Sequence, residues 1–178
     1  MLDKFFKPNK VAVIGASKRH ESLGHVLLKN IVEGGFKGNI FPINPRTEPI
    51  MGLKTYSSIT EVEGEIDPAI LIVPASVVID VVKQCGVKGV KATVVVSAGF
   101  SEIGNNDLER DLVEEAKKWG MWIMGPNCAG FIDTYNNLYA TIESRIKPGR
   151  IAFVTQSGAL GGAVLAWAEN ARWLVPKF

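Results

Sequence analysis

Val11-Ala-Val-Ile-Gly15-Ala-Ser-Lys-Arg-His-Glu-Ser-Leu-Gly24-His-Val-Leu-Leu-Lys-Asn-Ile31 is the stretch whose reading decides the fold. Residues 11–14 form an apolar run of the length of one buried strand. At Gly15 the backbone must turn. Beyond Ser22 the pattern changes: Leu23, Val26, Leu27 and Ile31 recur at helical spacing, and Gly34-Gly35 closes the helix. A strand, a glycine-led loop and a helix in that order form a phosphate-binding unit in α/β proteins, because the first N–H groups of the helix lack internal partners and its dipole favours anions. Lys18, Arg19 and His20 lie in that loop. The dinucleotide fingerprint packs its three glycines into six positions, whereas Gly15 and Gly24 stand nine apart with Ser17 and Ser22 between them. This loop is wider and lined by serine. Read alone, it fits a phosphate cradle or an ordinary strand-to-helix turn.

Working outward, Phe5 and Phe6 precede Pro8 and are expected to pin an N-terminal arm to the core. Residues 39–43 read as the second strand, ending in Asn44-Pro45-Arg46. A nicotinamide-binding fold places an acidic residue there for the ribose. Arg46 suits a phosphate monoester instead, such as the 2′-phosphate of NADP or the 3′-phosphate of coenzyme A, or is a plain surface arginine. Residues 47–65 read as connection. Residues 69–73 are a buried strand followed by Pro74-Ala75-Ser76, with Ser76 as the expected N-cap of a helix over 77–85 that Gly86 and Gly89 end. Val78, Val81, Val82 and Cys85 share one face of it, making Cys85 a core residue. Residues 92–96 are the fourth strand, running into Ser97-Ala98-Gly99. Asn106 and Glu109 have the spacing of a capping box for a helix through Trp119. Residues 121–124 form the fifth strand, ending at Gly125-Pro-Asn127-Cys128-Ala-Gly130.

Strands alternating with helices imply a doubly wound parallel sheet, whose ligands bind beyond the carboxyl ends of the strands. All five marked turns fall on that rim: Gly15-Ala16-Ser17, Asn44-Pro45-Arg46, Val73-Pro74-Ala75, Ser97-Ala98-Gly99 and Gly125-Pro-Asn127-Cys128. Their convergence predicts a long ligand groove. After Lys147-Pro-Gly149, residues 151–155 read as a new strand, Gln156-Ser157-Gly158 as a second glycine-led loop and 159–170 as a helix. The division expected is therefore a domain over 1–145 and the incomplete start of a second α/β domain over 146–178.

Composition narrows the classes. The chain has 178 residues, 47% of them hydrophobic, enough for a full core. A net charge of +2 without charge blocks argues against nucleic acid as a partner. Apolar runs are strand-length, so no membrane partner is expected. Cys85 and Cys128 have neither CxxC nor metal-ligand spacing, which fits a reduced, cytoplasmic protein.

The combination of Phe5-Phe6, Val11-Ala-Val-Ile-Gly-Ala-Ser17, Ser22-Leu-Gly24, Asn44-Pro45, Ile123-Met-Gly-Pro-Asn-Cys128-Ala-Gly130 and Gly149-Arg-Ile-Ala-Phe-Val-Thr-Gln-Ser-Gly158 resembles the CoA-binding domain of NDP-forming acyl-CoA synthetases. These are the ADP-forming acetyl-CoA synthetases and, more distantly, the succinyl-CoA synthetase alpha subunit. The resemblance implies a Rossmann-like CoA-binding domain followed by the first part of a flavodoxin-like ligase domain. It implies coenzyme A as the ligand, with Gly15, Ala16, Ser17, Lys18, Ser22, Leu23 and Gly24 at its phosphates and Asn44 and Arg46 at the nucleotide end. Val73, Pro74, Ser97, Ala98 and Gly99 would line the adenine and pantetheine path, and Asn127 and Cys128 would lie near the thiol. Gln156, Ser157 and Gly158 would meet a phosphohistidine. In that family a histidine of the second domain relays phosphate and an ATP-grasp domain or beta subunit handles the nucleotide. The only histidines here are His20 and His25. The resemblance therefore implies a truncated alpha chain that makes no acyl-CoA alone, with no catalytic residue of its own and with homo-oligomerisation open. Trp173-Leu-Val-Pro-Lys-Phe178 departs from the family pattern. Cys128 has no histidine or aspartate motif beside it and reads as a packed thiol. Two rival readings are an NADP-dependent oxidoreductase and a non-enzymatic CoA-binding module.

Overall fold

The structure is a computed structural model and describes residues 2–170. In chain order it contains α1 (Asp3–Phe6), β1 (Lys10–Ile14), α2 (Leu23–Gly34), β2 (Asn39–Ile43), β3 (Pro68–Leu71), α3 (Ala75–Lys88), β4 (Ala92–Val95), α4 (Asn106–Lys118), β5 (Trp122–Met124), β6 (Gly130–Asp133), β7 (Leu138–Thr141) and α5 (Gly158–Asn170). Short 3-10 turns at Ile59–Glu61 and Ser101–Ile103 punctuate the connections.

Five strands form one parallel sheet in the order β2-β1-β3-β4-β5. The chain leaves β1 toward one edge and returns at β3 on its other side, so the strand order reverses between β1 and β3, where an open α/β sheet leaves a crevice. Alternate residues of β1 feed opposite layers. Ala12 and Ile14 pack with Val78, Val82, Cys85 and Leu112 of α3 and α4, while Val11 and Val13 pack with Leu27, Leu28 and Ile31 of α2. This is the two-residue period of a strand buried on both faces. The expected N-terminal anchor is present: Phe5 is buried, and both Phe5 and Phe6 set their rings edge-on to Phe131.

Three helix boundaries differ from the sequence reading. Helix α3 starts one residue before Ser76, with Pro74 as its N-cap, and runs past Gly86 to Gly89. Gly86 does not stop it, because its bare Cα is where the Trp119 ring of the α4 end sits: a Cβ there would lie 2.2 Å from a ring atom. Asn105, not Asn106, holds the N-cap position of α4, its side chain donating to the Gly99 carbonyl without capping the helix, and the Glu109 carboxylate accepts from the Ser101 N–H instead of closing a box.

The hairpin of β6 and β7 covers α2, and the sequence reading passed over it. Asn30 of α2 donates to the carbonyls of Thr141 and Glu143, and Asp133, fully buried, accepts from the Tyr135 N–H and from Asn136. Residues 151–155 form no full strand among the described residues: only Ala152 has the geometry of a single β-bridge, and the segment joins neither sheet. The expected helix is present as α5. It docks on the outer side of the hairpin, where Leu165 and Ala168 pack with Ile132, Tyr139 and Ile146. Residues 171–178, with the Trp173 segment, lie outside the described residues.

Two measurements check this packing. Leu165→Ala opens a cavity under α5 and is expected to cost about 2–5 kcal/mol in denaturant unfolding, with faster proteolysis at Lys147. Asp67 accepts hydrogen bonds from Lys4 and from the N–H groups of Asn9 and Lys10. Burial opposes its charge, but these bonds and the Lys4 charge together hold the carboxyl below its ordinary value. The contribution of Asp67 is therefore complete above the unfolded value of about 3.9 and is lost as pH falls through the lower folded value. The stability gap between the parent and Asp67→Asn is expected to be full at neutral pH and to close in that acid window.

Candidate functional site

The close approach of three backbone segments creates the rim. Gly15 ends β1 with φ +95°, and a Cβ on it would lie 1.9 Å from the Ile72 carbonyl oxygen beyond β3. Gly24, in the first turn of α2, would place a Cβ 2.0 Å from the Gly15 carbonyl oxygen. Any side chain at either position would push the strand end and the helix start apart. The helix therefore begins directly on the crevice. The Leu23 and Gly24 N–H groups open it without intrahelical partners, and the Ser22 hydroxyl caps the His25 N–H at 3.3 Å.

Between them the loop is held from several sides. Asn44 donates to the Ala16 carbonyl at 2.7 Å and accepts from the Arg46 N–H at 2.8 Å, so it braces two rim turns at once. Ser17 accepts from the Arg19 N–H, Ser22 donates to the Arg19 carbonyl, and the His25 ring contacts the Ser17 carbonyl through Nδ1 at 3.0 Å. Lys18 reaches Glu48 at 2.7 Å. The Lys18 hydrogen bond, followed by its charge and that of Arg46, holds the Glu48 carboxyl below the usual range. Lys18, Arg46 and Glu48 are all solvent-exposed.

A cleft of about 420 Å³ continues along the carboxyl ends of the strands. Of the residues singled out from sequence, Leu23, Val73, Pro74, Ser97, Ala98, Asn127, Cys128 and Gly158 line it. Gly15, Ala16, Ser17, Lys18, Ser22 and Gly24 form the adjoining loop, and Asn44 and Arg46 sit at its outer edge. Two expected contributors face other tasks. The Ser97 hydroxyl accepts from the Val73 N–H and donates to the Leu71 carbonyl, tying the ends of β3 and β4. The N–H of Gly99 is taken by Glu102, so Gly99 shapes its turn and lies off the cleft. Gln156 and Ser157 are exposed, and the Ser157 hydroxyl caps α5 through the Leu160 N–H at 3.2 Å.

Sequence reading missed Ile72, Val96, Ala129, Ile142 and Glu143, which complete the lining. Ile142 and Glu143 follow β7, so only the unread hairpin delivers them. Its signal was present: two short runs rich in aromatic, aliphatic and β-branched residues, 131–135 and 138–142, on either side of the Asn136-Asn137 turn, with Asn137 at φ +54°.

Cys128 donates its thiol hydrogen to the Val95 carbonyl at 3.4 Å, and burial pushes its pKa up. Both cysteines are free, and burial pushes Cys85 up to about 12. Neither has the environment of an activated thiolate.

A family model described as a CoA binding domain matches residues 9–134. The chain belongs to that family. It is 46% identical over 167 residues to acetate–CoA ligase (ADP-forming) II subunit alpha of Pyrococcus furiosus, covering 93% of this chain and 36% of that protein. It is 45% identical over 159 residues to acetate–CoA ligase (ADP-forming) of Methanocaldococcus jannaschii, covering 89% of this chain and 22% of that protein. Among solved structures it superposes with a TM-score of 0.97 on acetyl-coenzyme A synthetase 1 of Ca. Korarchaeum cryptofilum, solved with phosphate and ADP, at 38% identity over 99% of this chain and 38% of that one. The chain thus spans between about a fifth and two fifths of the length of these relatives. Among the described residues, no helix is long and apolar enough to cross a membrane.

The thiols give a direct check of the cleft. Iodoacetamide is expected to label Cys128 more slowly than a free cysteine at pH 8, and faster as pH rises above the ordinary thiol range. Cys85 is expected to stay unlabelled until the protein is unfolded, as peptide mass mapping would read.

Proposed function

We propose that this chain binds coenzyme A, or its acyl thioester, along the rim, and that it does so as the CoA-binding part of an ADP-forming acyl-CoA synthetase. One observation carries the reading: in a member of the CoA-binding domain family, the glycine-held loop at Gly15–Gly24 opens into a cleft that ends at Asn127, Cys128 and Gly158. The two ends differ in chemistry as the two ends of CoA do.

In this reading the diphosphate lies at the start of α2, where unpartnered N–H groups and the helix dipole favour an anion. Arg46, with Lys18 beside it, takes the 3′-phosphate, for which its planar fork suits bidentate hydrogen bonding. Glu48 already holds Lys18, so the phosphate replaces one carboxylate partner by another anion. The pantetheine arm follows Ile72, Val73, Pro74, Val96 and Ala98, a mostly apolar path. The thiol end reaches Asn127 and Cys128, with Gly158 and the capped start of α5 facing it. Gln156, Ser157 and Gly158 then hold the phosphate of the partner step.

The reaction supported for the complete assembly is acid, CoA and ATP to acyl-CoA, ADP and phosphate, with an ATP-grasp unit as partner and residues 146–178 opening a second unit. The names of the relatives, ADP-forming acetate–CoA ligases, support this. The free thiols suit a reducing cytoplasm.

Calorimetric titration with CoA, dephospho-CoA, NADPH and NADH tests the reading. CoA is expected to bind and the nicotinamide nucleotides are not. Arg46→Ala is expected to lose a charge-assisted contact of roughly 1.5–3 kcal/mol, a fall of about tenfold to a hundredfold in CoA affinity, with dephospho-CoA little affected. Equal binding of CoA and dephospho-CoA by the parent would remove Arg46 from the 3′-phosphate. Preference for NADPH would overturn the reading.

A further inference from the structure

Glu143 is the one carboxylate on the wall of the cleft, whose other lining residues among those described are apolar or neutral. Its main chain is held on several sides. The Glu143 N–H donates to the Thr141 hydroxyl at 3.1 Å, its carbonyl accepts from Asn30 of α2 at 2.9 Å, and the preceding Ile142 N–H donates to the Ala129 carbonyl at 3.1 Å. That last bond sets Glu143 beside the Asn127-Cys128-Ala129 turn, the end of the cleft at which the thiol is read. The side chain runs to α5. A Cβ on Gly162 would lie 3.0 Å from one carboxylate oxygen and 3.5 Å from the other, so the bare Cα there gives the carboxylate its seat. Gly158 lines the cleft and stands one helical turn before Gly162, on the same face of α5. The carboxylate therefore lies between the hairpin and the face of α5 that looks into the cleft.

Among the described residues, no side chain forms an ion pair with the Glu143 carboxylate or donates a hydrogen bond to it. Arg145, two residues on, reaches Glu33 at 3.2 Å and lines a different cavity together with Lys29. Lys18 is taken by Glu48 at the outer edge of the rim. The Cys128 thiol gives its hydrogen to the Val95 carbonyl and stays neutral, because burial opposes its charge. The dipole of α5 favours an anion only within the first turn, and Gly162 stands beyond it. A half-buried carboxylate on a mostly apolar wall attracts a cation or a hydrogen-bond donor and repels a second anion. Resting on the CoA reading above, we propose that Glu143 is a specificity-determining residue that sorts acyl thioesters by the charge at the acyl end. Acyl groups that carry an ammonium or a hydroxyl are favoured over plain alkanoyl groups, and those that end in a carboxylate are disfavoured. The nucleotide and the pantetheine arm are common to all of these ligands, so the sorting belongs to the end of the cleft at Glu143.

Calorimetry with β-alanyl-CoA, acetyl-CoA and succinyl-CoA reads the order directly, since the three share the CoA moiety and differ in the charge of the acyl group. At neutral pH and low salt the parent is expected to bind β-alanyl-CoA about three- to tenfold more tightly than acetyl-CoA, and succinyl-CoA about three- to tenfold more weakly. Salt at about 0.5 M should compress the spread by screening. Glu143→Gln, close in size beside Gly162, should bring the three affinities to within about twofold of one another. Glu143→Lys should reverse the order, with succinyl-CoA bound most tightly. A parent that binds all three equally overturns the proposal, and so does a spread that Glu143→Gln keeps in full; either result leaves CoA binding intact. Failure of the parent to bind CoA itself overturns the CoA reading, and the sorting by charge with it.

Discussion

The contact of the Gly15 backbone with the Ile72 carbonyl on one side and the Gly24 first turn on the other is the constraint on which the rest depends. It is a contact between main chains, too close for any Cβ. It brings the end of β1, the end of β3 and the start of α2 to one point, at the place where the strand order reverses. A crevice exists at every such reversal. Here it also receives the unpartnered N–H groups of a helix, because two glycines remove the atoms that would hold that helix away. The shape of this loop is thus a consequence of backbone packing.

Everything around that point keeps it in place. Asn44 ties the second strand end to the Ala16 carbonyl, His25 ties the helix to Ser17, and Ser97 ties the fourth strand end to the third. These are polar groups spent on the protein itself, which is why several residues that look like ligand contacts in the sequence serve as braces. The groups left over divide by chemistry: cations and amides at the loop, apolar side chains along the cleft, and Asn127, Cys128 and a helix start at its far end. A nucleotide joined through a diphosphate to a long neutral arm and a thiol has the same sequence of demands.

The hairpin supplies the remaining wall. It seals α2 through Asn30 and Asp133, and carries Ile142 and Glu143 into the cleft. Its outer face gives α5 an apolar seat. A helix with no sheet of its own beside it among the described residues is therefore still packed, and its capped first turn faces the same cleft as the loop 135 residues earlier.

The sequence by itself determined the parallel sheet, its five strands, the rim on which the turns converge and the glycine-led loop, because each is written in local periodicity: apolar runs of strand length, helical spacing, and glycine or proline at the breaks. It also placed Cys85 in the core and Phe5 and Phe6 on it. What only the tertiary structure decided were matters of who stands next to whom. Gly86 read as a stop, yet it is a seat for the Trp119 ring. Residues 151–155 read as a strand, yet among the described residues only Ala152 there has bridge geometry, and the segment joins neither sheet. Ser97, Asn44 and Gly99 read as ligand groups, and only the structure shows the hydrogen bonds by which each also braces the chain itself. The pairing of His20 with His25 across a loop turn has no sequence signature. Local pattern fixes which segments are strands and helices; the partner of each polar atom is settled only when distant segments meet.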